Sequence, residues 1–104
     1  MASTRLEILK SMVEQNPRDA FSRYGLAMEY FSAGDLAAAA EAFGALAALD
    51  PAYVATYYQY GLTLEKLGRA EDARQAYEAG LKAAAQKGNS HAAKELQAAL
   101  DHQR

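Results

Sequence analysis

The residues best suited to chemistry in this sequence are few and poorly arranged for it. His91 and His102 are metal-ligand and proton-transfer types, but they stand eleven positions apart. Two histidines that grip one ion from a single helix are usually four apart, which puts both rings on one face. Glu71 and Asp72 are adjacent, so on a helix they diverge and make a poor acid–base pair. There is no cysteine, and therefore neither a thiolate ligand nor a disulfide framework. Neither a glycine-rich phosphate loop nor a nucleophile elbow is present. No catalytic residue, metal site or cofactor is expected. The side chains left for recognition are apolar: Phe21, Tyr24, Met28 and Phe31 recur at i, i+3, i+7 and i+10, which places them on one helical face.

The elements that position these residues must be helices. Alanine supplies 25 of the 104 residues, whereas valine and isoleucine together supply three. Alanine is the best helix former and β-branched residues are the strand formers, so an all-α chain is predicted. Both prolines sit in Asx-Pro pairs, Asn16-Pro17 and Asp50-Pro51, and read as turns between helices. The length suits one domain spanning 1–104. A net charge of −2 with interleaved acids and bases lacks the basic cluster of a nucleic-acid surface. Residues 1–10 contain Arg5, Glu7 and Lys10, so they lack the apolar core of a signal peptide. The longest apolar run, Leu36–Leu49, contains Glu41 and is too short to span a bilayer. A soluble cytoplasmic protein with no membrane partner is expected.

Laying Asn16-Pro17 over Asp50-Pro51 aligns the sequence with itself without a gap. In that register Tyr24 falls on Tyr58, Leu26-Ala27 on Tyr60-Gly61 and Tyr30 on Leu64. Gly34 then meets Gly68, Ala39 meets Ala73, Ala42 meets Ala76 and Phe43 meets Tyr77. Such a period marks a stack of helical hairpins. Tyr57, Tyr60 and Leu64 share a helical face on which Gly61 leaves a gap. Gly61 and Ala73 are expected to be holes that receive rings from the facing helix. This period and its order of large, small and aromatic residues resemble the tetratricopeptide repeat, with 20–53 as one repeat and 54–87 as a second. The resemblance implies an antiparallel helix-pair solenoid with one flanking helix on each side. Arg23 stands where a large aromatic is usual, Leu46 and Gly80 where alanine is usual, and Ala85 where a closing proline is usual. These departures predict looser packing beside Arg23 and a helix that runs past the second repeat.

The flanks read as helices over 4–15 and 90–102. Thr4 with Glu7 suggests a capping box, and Leu6, Leu9, Met12 and Val13 form an inward stripe. Asp19 caps the next helix, to about residue 33, and Asp35 the one after, to about residue 49. The fourth is expected from about residue 52 to 67 and the fifth from about 70 to 86, ended by Gly88. Ser90 is the expected cap of the last helix, whose Ala93, Leu96 and Leu100 face inward. Its Lys94, Glu95, Gln97 and Asp101 face water. A terminal helix with one polar face solvates the end of a stack.

The resemblance implies that first helices line a concave groove for a protein or peptide. It places Phe21, Tyr24, Met28, Phe31, Tyr58 and Leu62 there, with Gln59, Glu65 and Lys66 as polar contacts. Relatives that clamp a terminal carboxylate use Lys, Arg and Asn where this chain has Tyr24, Met28, Gln59 and Leu62, so no such clamp is expected. Two arrangements fit the stripe: an open partner surface, or core covered by the first or last helix. Ile8 lies beside Met12 and widens the apolar arc of the first helix. That width fits either a homodimer or two ordinary exposed residues.

Overall fold

In a computed structural model, which describes residues 4–103, the chain forms six helices and no strand among those residues. They are α1 (Thr4–Gln15), α2 (Ala20–Ser32), α3 (Leu36–Leu49), α4 (Ala55–Lys66), α5 (Ala70–Lys87) and α6 (Ser90–His102). Each helix packs on the next, and α6 also reaches back to α4. The stack measures 39 × 28 × 19 Å. It is an all-α helix-pair solenoid.

Short polar caps and left-handed turns set the helix ends. The Asp19 and Asp35 carboxylates accept hydrogen bonds from the backbone N–H groups of Ser22 and Ala38, each cap stabilising its helix by about 1 kcal/mol. Gly34 and Gly68 hold φ at +82° and +79°, a conformation that side chains with a Cβ resist. Beyond them the Asp35 and Arg69 N–H groups donate to the Tyr30 and Leu64 carbonyls at 3.0 and 2.9 Å. The two turns thus close with one bond pattern, a full repeat apart.

The core is built on rings entering gaps. A Cβ added at Gly61 would stand 2.1 Å from Cε1 of Tyr77, so only glycine lets α5 bring that ring onto α4. In the preceding pair Ala27 and Ala39, both fully buried, enclose Phe43. Ala73 is buried in the same cluster as Tyr77. Gly80 also serves close approach: a Cβ there would lie 2.6 Å from Cβ of Tyr57 and 3.0 Å from both Leu96 methyls. Three helices meet at that glycine.

Several expectations are corrected. α4 begins at Ala55, not near residue 52, because 51–54 form a turn in which the Tyr53 N–H donates to the Asp50 carbonyl at 3.1 Å. Asn89, not Ser90, caps α6; its side-chain carbonyl accepts from the Ala92 N–H at 3.0 Å. Met12 is not part of an inward stripe: Leu6, Leu9 and Val13 are half-buried, whereas Met12 is exposed and α1 buries no residue fully. The Arg23 position is not simply loose. Arg23 Nε donates to the Pro17 carbonyl at 2.5 Å, and its counterpart Tyr57 donates through its hydroxyl to the Pro51 carbonyl at 2.6 Å. Different side chains make the same tie from first helix to preceding turn.

The same register exposes a flaw. The Ser22 hydroxyl donates to the Asp19 carboxylate. One repeat later Tyr53 stands in place of Asp19, and the fully buried Thr56 hydroxyl finds no partner. Tyr53 instead packs its ring 6.0 Å from Tyr24.

Two substitutions test this packing. Gly61→Ala would ordinarily gain about 0.5–1 kcal/mol in a helix; against the Tyr77 ring it should instead cost about 1–3 kcal/mol. Chemical denaturation gives the sign, and a gain would rule out the ring-in-gap contact. Thr56→Val replaces an unpaired buried hydroxyl with a methyl and should be neutral or stabilise by up to about 1 kcal/mol.

Candidate functional site

The nine groove residues expected from sequence do not line one recess. On α2, Tyr24 is half-buried, with its ring 6.1 Å from Phe43 in an edge contact and 6.0 Å from Tyr53. Met28 and Phe31 pack on the same buried cluster. Phe21, one turn before Tyr24, is 73% exposed. On α4, Tyr58 rests its ring 6.3 Å from that of Tyr77. Gln59, Leu62 and Glu65 are half-buried, and Lys66 is exposed. The stripe is therefore partly core and partly open, and neither α1 nor α6 covers Phe21.

Two recesses flank Tyr24. The larger, about 660 Å³, runs between α1 and α2 and is lined by Leu9, Met12, Phe21, Tyr24 and Met28. The Arg5 guanidinium and Glu29 carboxylate, which also line it, pair at 3.3 Å. The smaller, about 190 Å³, lies among α2, α4 and α6 and is lined by Tyr24, Tyr58, Gln59, Ala92, Glu95 and Leu96. Phe31, Leu62 and Lys66 line neither. Glu65 lines a separate shallow cleft with Arg74 and His102.

Glu95 belongs to this geometry, although the sequence places it on the outward face of a cap. The signal lay in the period: Tyr24, Tyr58 and Ala92 follow one another at the repeat spacing, so α6 continues the series of first helices. Glu95 lies near enough to Tyr24 to help hold its phenol neutral.

Several titratable groups of α5 and α6 are tied into surface pairs. Arg74 bonds the Glu71 carboxylate and holds it below its ordinary range; it reaches Glu78 at 2.7 Å. Asp72 pairs with Arg69 at 2.9 Å. His91 is 3.9 Å from Glu95. Among the described residues, no three His, Asp or Glu side chains gather as a metal-ligating group. No helix among them is long and apolar enough to cross a membrane.

The matching turns, the ring-filled gaps and the regular spacing have a counterpart in known proteins. A profile of the tetratricopeptide repeat matches residues 30–100. The chain belongs to the tetratricopeptide repeat (TPR) family. It is 36% identical over 91 residues to a TPR repeat-containing protein of Pseudomonas aeruginosa, a match covering 88% of this chain and 87% of that one. A TPR domain protein from Salinibacter ruber, solved by crystallography, is 36% identical with a TM-score of 0.78, over 82% of this chain and 94% of that one. A protein of Bordetella parapertussis, solved in solution, is 32% identical with a TM-score of 0.81, over 99% and 89%. TPR proteins are generally non-catalytic modules for protein interaction.

This TPR fold keeps several phenols neutral. Burial raises the pKa of Tyr24, Tyr57 and Tyr77 above the ordinary value of 10.0, helped at Tyr24 by Tyr53 and Glu95, at Tyr57 by Asp50 and at Tyr77 by Glu65. An acid whose folded pKa is raised stabilises the fold fully below its unfolded pKa and loses that contribution as pH rises through the folded value. Stability should therefore fall above pH 10. Tyr77→Phe, which removes a buried phenol whose pKa burial and Glu65 raise, should extend the fold to higher pH. Denaturation midpoints across an alkaline series, with phenolate absorbance alongside, read both effects; identical alkaline limbs would contradict the assignment.

Proposed function

We propose that this TPR protein is a non-enzymatic binding module. Its concave face, where α2, α4 and α6 meet, receives a side chain from a protein or peptide partner. The supporting observation is the recess walled by Tyr24, Tyr58, Gln59 and Glu95. Its volume of about 190 Å³ falls below the roughly 300–1,000 Å³ of pockets that enclose whole small ligands. It suits one anchoring side chain of a longer segment. Two phenol rings supply apolar contact, and the Gln59 amide and Glu95 carboxylate supply hydrogen bonds at the wall. Leu62 and Lys66 extend the same helix beyond the recess.

Nucleic acid is a poor fit to a chain of net charge −2 whose recess carries a carboxylate. The lack of cysteine suits a reducing compartment such as the cytoplasm. We assign no metal, cofactor or catalytic step.

Tyr24 and Tyr58 also pack on buried rings, so charging either one would test stability as much as binding. Gln59→Lys with Glu95→Lys alters the recess at its polar wall instead. Capture of partners by this variant should drop relative to wild type, with the fold intact by circular dichroism. Glu41→Lys, on an exposed face of α3, serves as control. Equal capture by all three proteins would remove the concave recess as the site.

A further inference from the structure

The recess among α2, α4 and α6 is walled by polar atoms that the fold itself does not use. Among the described residues that line it, Glu95 alone is charged. Its carboxylate accepts no hydrogen bond from any described residue, and its ion-pair contact, His91 Nε2 at 3.9 Å, lies beyond hydrogen-bond reach. The Gln59 amide and the hydroxyls of Tyr24 and Tyr58 likewise bond to no described residue. Other carboxylates have an arginine: Glu29 has Arg5, Asp72 has Arg69, and Glu71 and Glu78 share Arg74. Glu95 has none. Lys94, its neighbour in sequence, points about 100° away on the helix and does not line the recess.

We propose that the recess takes the guanidinium group of an arginine in the partner segment, an inference that rests on the binding reading above and names its anchor. A guanidinium carries five N–H donors and no acceptor. The wall offers the complement: the Glu95 carboxylate, the Gln59 carbonyl and two phenol oxygens, all acceptors. A cation is also drawn to the face of a phenol ring, and Tyr24 and Tyr58 supply two rings.

Other side chains fit less well. Val54, Ala92 and Leu96 make the rest of the wall largely apolar. Guanidinium is more weakly hydrated than ammonium and stacks on aromatic rings, whereas a lysine would meet Glu95 as a point charge. An apolar side chain would take water from Glu95 and Gln59 and return no hydrogen bond. An acidic one would meet like charge. The volume of about 190 Å³ equals about six liquid waters at roughly 30 Å³ each, which suits one long side chain.

NMR titration of the isotope-labelled full chain tests the proposal. The probes are short blocked peptides of one alanine–glycine host with Arg, Lys, Leu or Glu at the centre. The arginine peptide should shift the amides of Tyr58, Gln59 and Glu95. It should bind about tenfold more tightly than the leucine or glutamate peptide, the effect of one charge-assisted contact, and more tightly than the lysine peptide. Glu95→Gln keeps the side chain's size and removes its charge, so it should erase most of that preference. Glu41→Gln, on an exposed face of α3, should preserve it. A leucine peptide that binds at the same amides as tightly as the arginine peptide would overturn the arginine anchor and leave the recess as the site. So would an arginine preference indifferent to Glu95→Gln. Equal binding of the lysine peptide would overturn the choice of guanidinium. Recess amides unmoved by all four peptides up to about 10 mM, a decade beyond millimolar association, would also overturn the anchor, and the capture experiment above then decides separately whether the recess binds a partner.

Discussion

The structure depends on how closely α5 can approach α4, and that distance is set where the Tyr77 ring fills the space over Gly61. Gly80 repeats the device on the other side of α5, admitting Tyr57 and Leu96. One buried cluster consequently runs from Ala40 through Tyr57, Leu64 and Tyr77 to Leu96, spanning α3 to α6. The N-terminal cluster is smaller, with Ala27, Ala39 and Phe43 at its centre. Packing energy in a helical repeat is a sum of neighbour terms, so this imbalance leaves the α1 end the more weakly held. α1, with no fully buried residue, is held by half-buried leucines and a valine, by the Arg5–Glu29 pair, and by Lys10 about a ring's reach, 6.0 Å, from Tyr30.

The fold was legible because the features that impose it are also those that sequence displays best. A glycine forced by a ring, a glycine forced by a left-handed turn and a proline after a helix all recur at one spacing. Features resting on exchangeable side chains were not legible. Arg23 and Tyr57 share no chemistry beyond a hydrogen-bond donor on a long arm, yet each ties its helix to a proline carbonyl. Asn89 and Ser90 are both good caps, and only backbone geometry chooses between neighbours. The late start of α4 follows from the turn over 51–54, in which the Tyr53 N–H donates to the Asp50 carbonyl.

The candidate surface was legible by element but not by partition. Phe21, Tyr24, Met28 and Phe31 share a face in the sense that helical positions do, yet from Phe21 to Phe31 the direction turns by about 80°. That rotation carries Phe31 onto the buried cluster and leaves Phe21 at the opening beside α1. Tyr24 sits between and forms a wall of both recesses. What looked like one groove in a list of spacings is two recesses that share Tyr24. Glu95 entered only through the third turn of the period, because a polar residue on a terminal helix reads as solvation until its helix is placed in the series.

The two ends of the stack meet opposite physical demands. A solenoid interrupted at either end exposes a face meant for a neighbour, and a polar terminal helix removes that liability. α6 does so: Leu96 is buried while its charged residues take the solvent side. α1 does not. Three of its five large apolar residues are no more than half-buried and the other two, Ile8 and Met12, are exposed, with Phe21 exposed across the recess. Scattered apolar residues on a surface need no explanation, but Leu9, Met12 and Phe21 border one recess whose counterpart in the next repeat is filled by α2. A charged residue at Ile8 or Met12 would have solvated that end at little cost to the α1–α2 contact, since both side chains already stand exposed. Ile8, Met12 and Phe21 thus leave apolar surface at the α1 end, and Tyr24 forms a wall of both recesses.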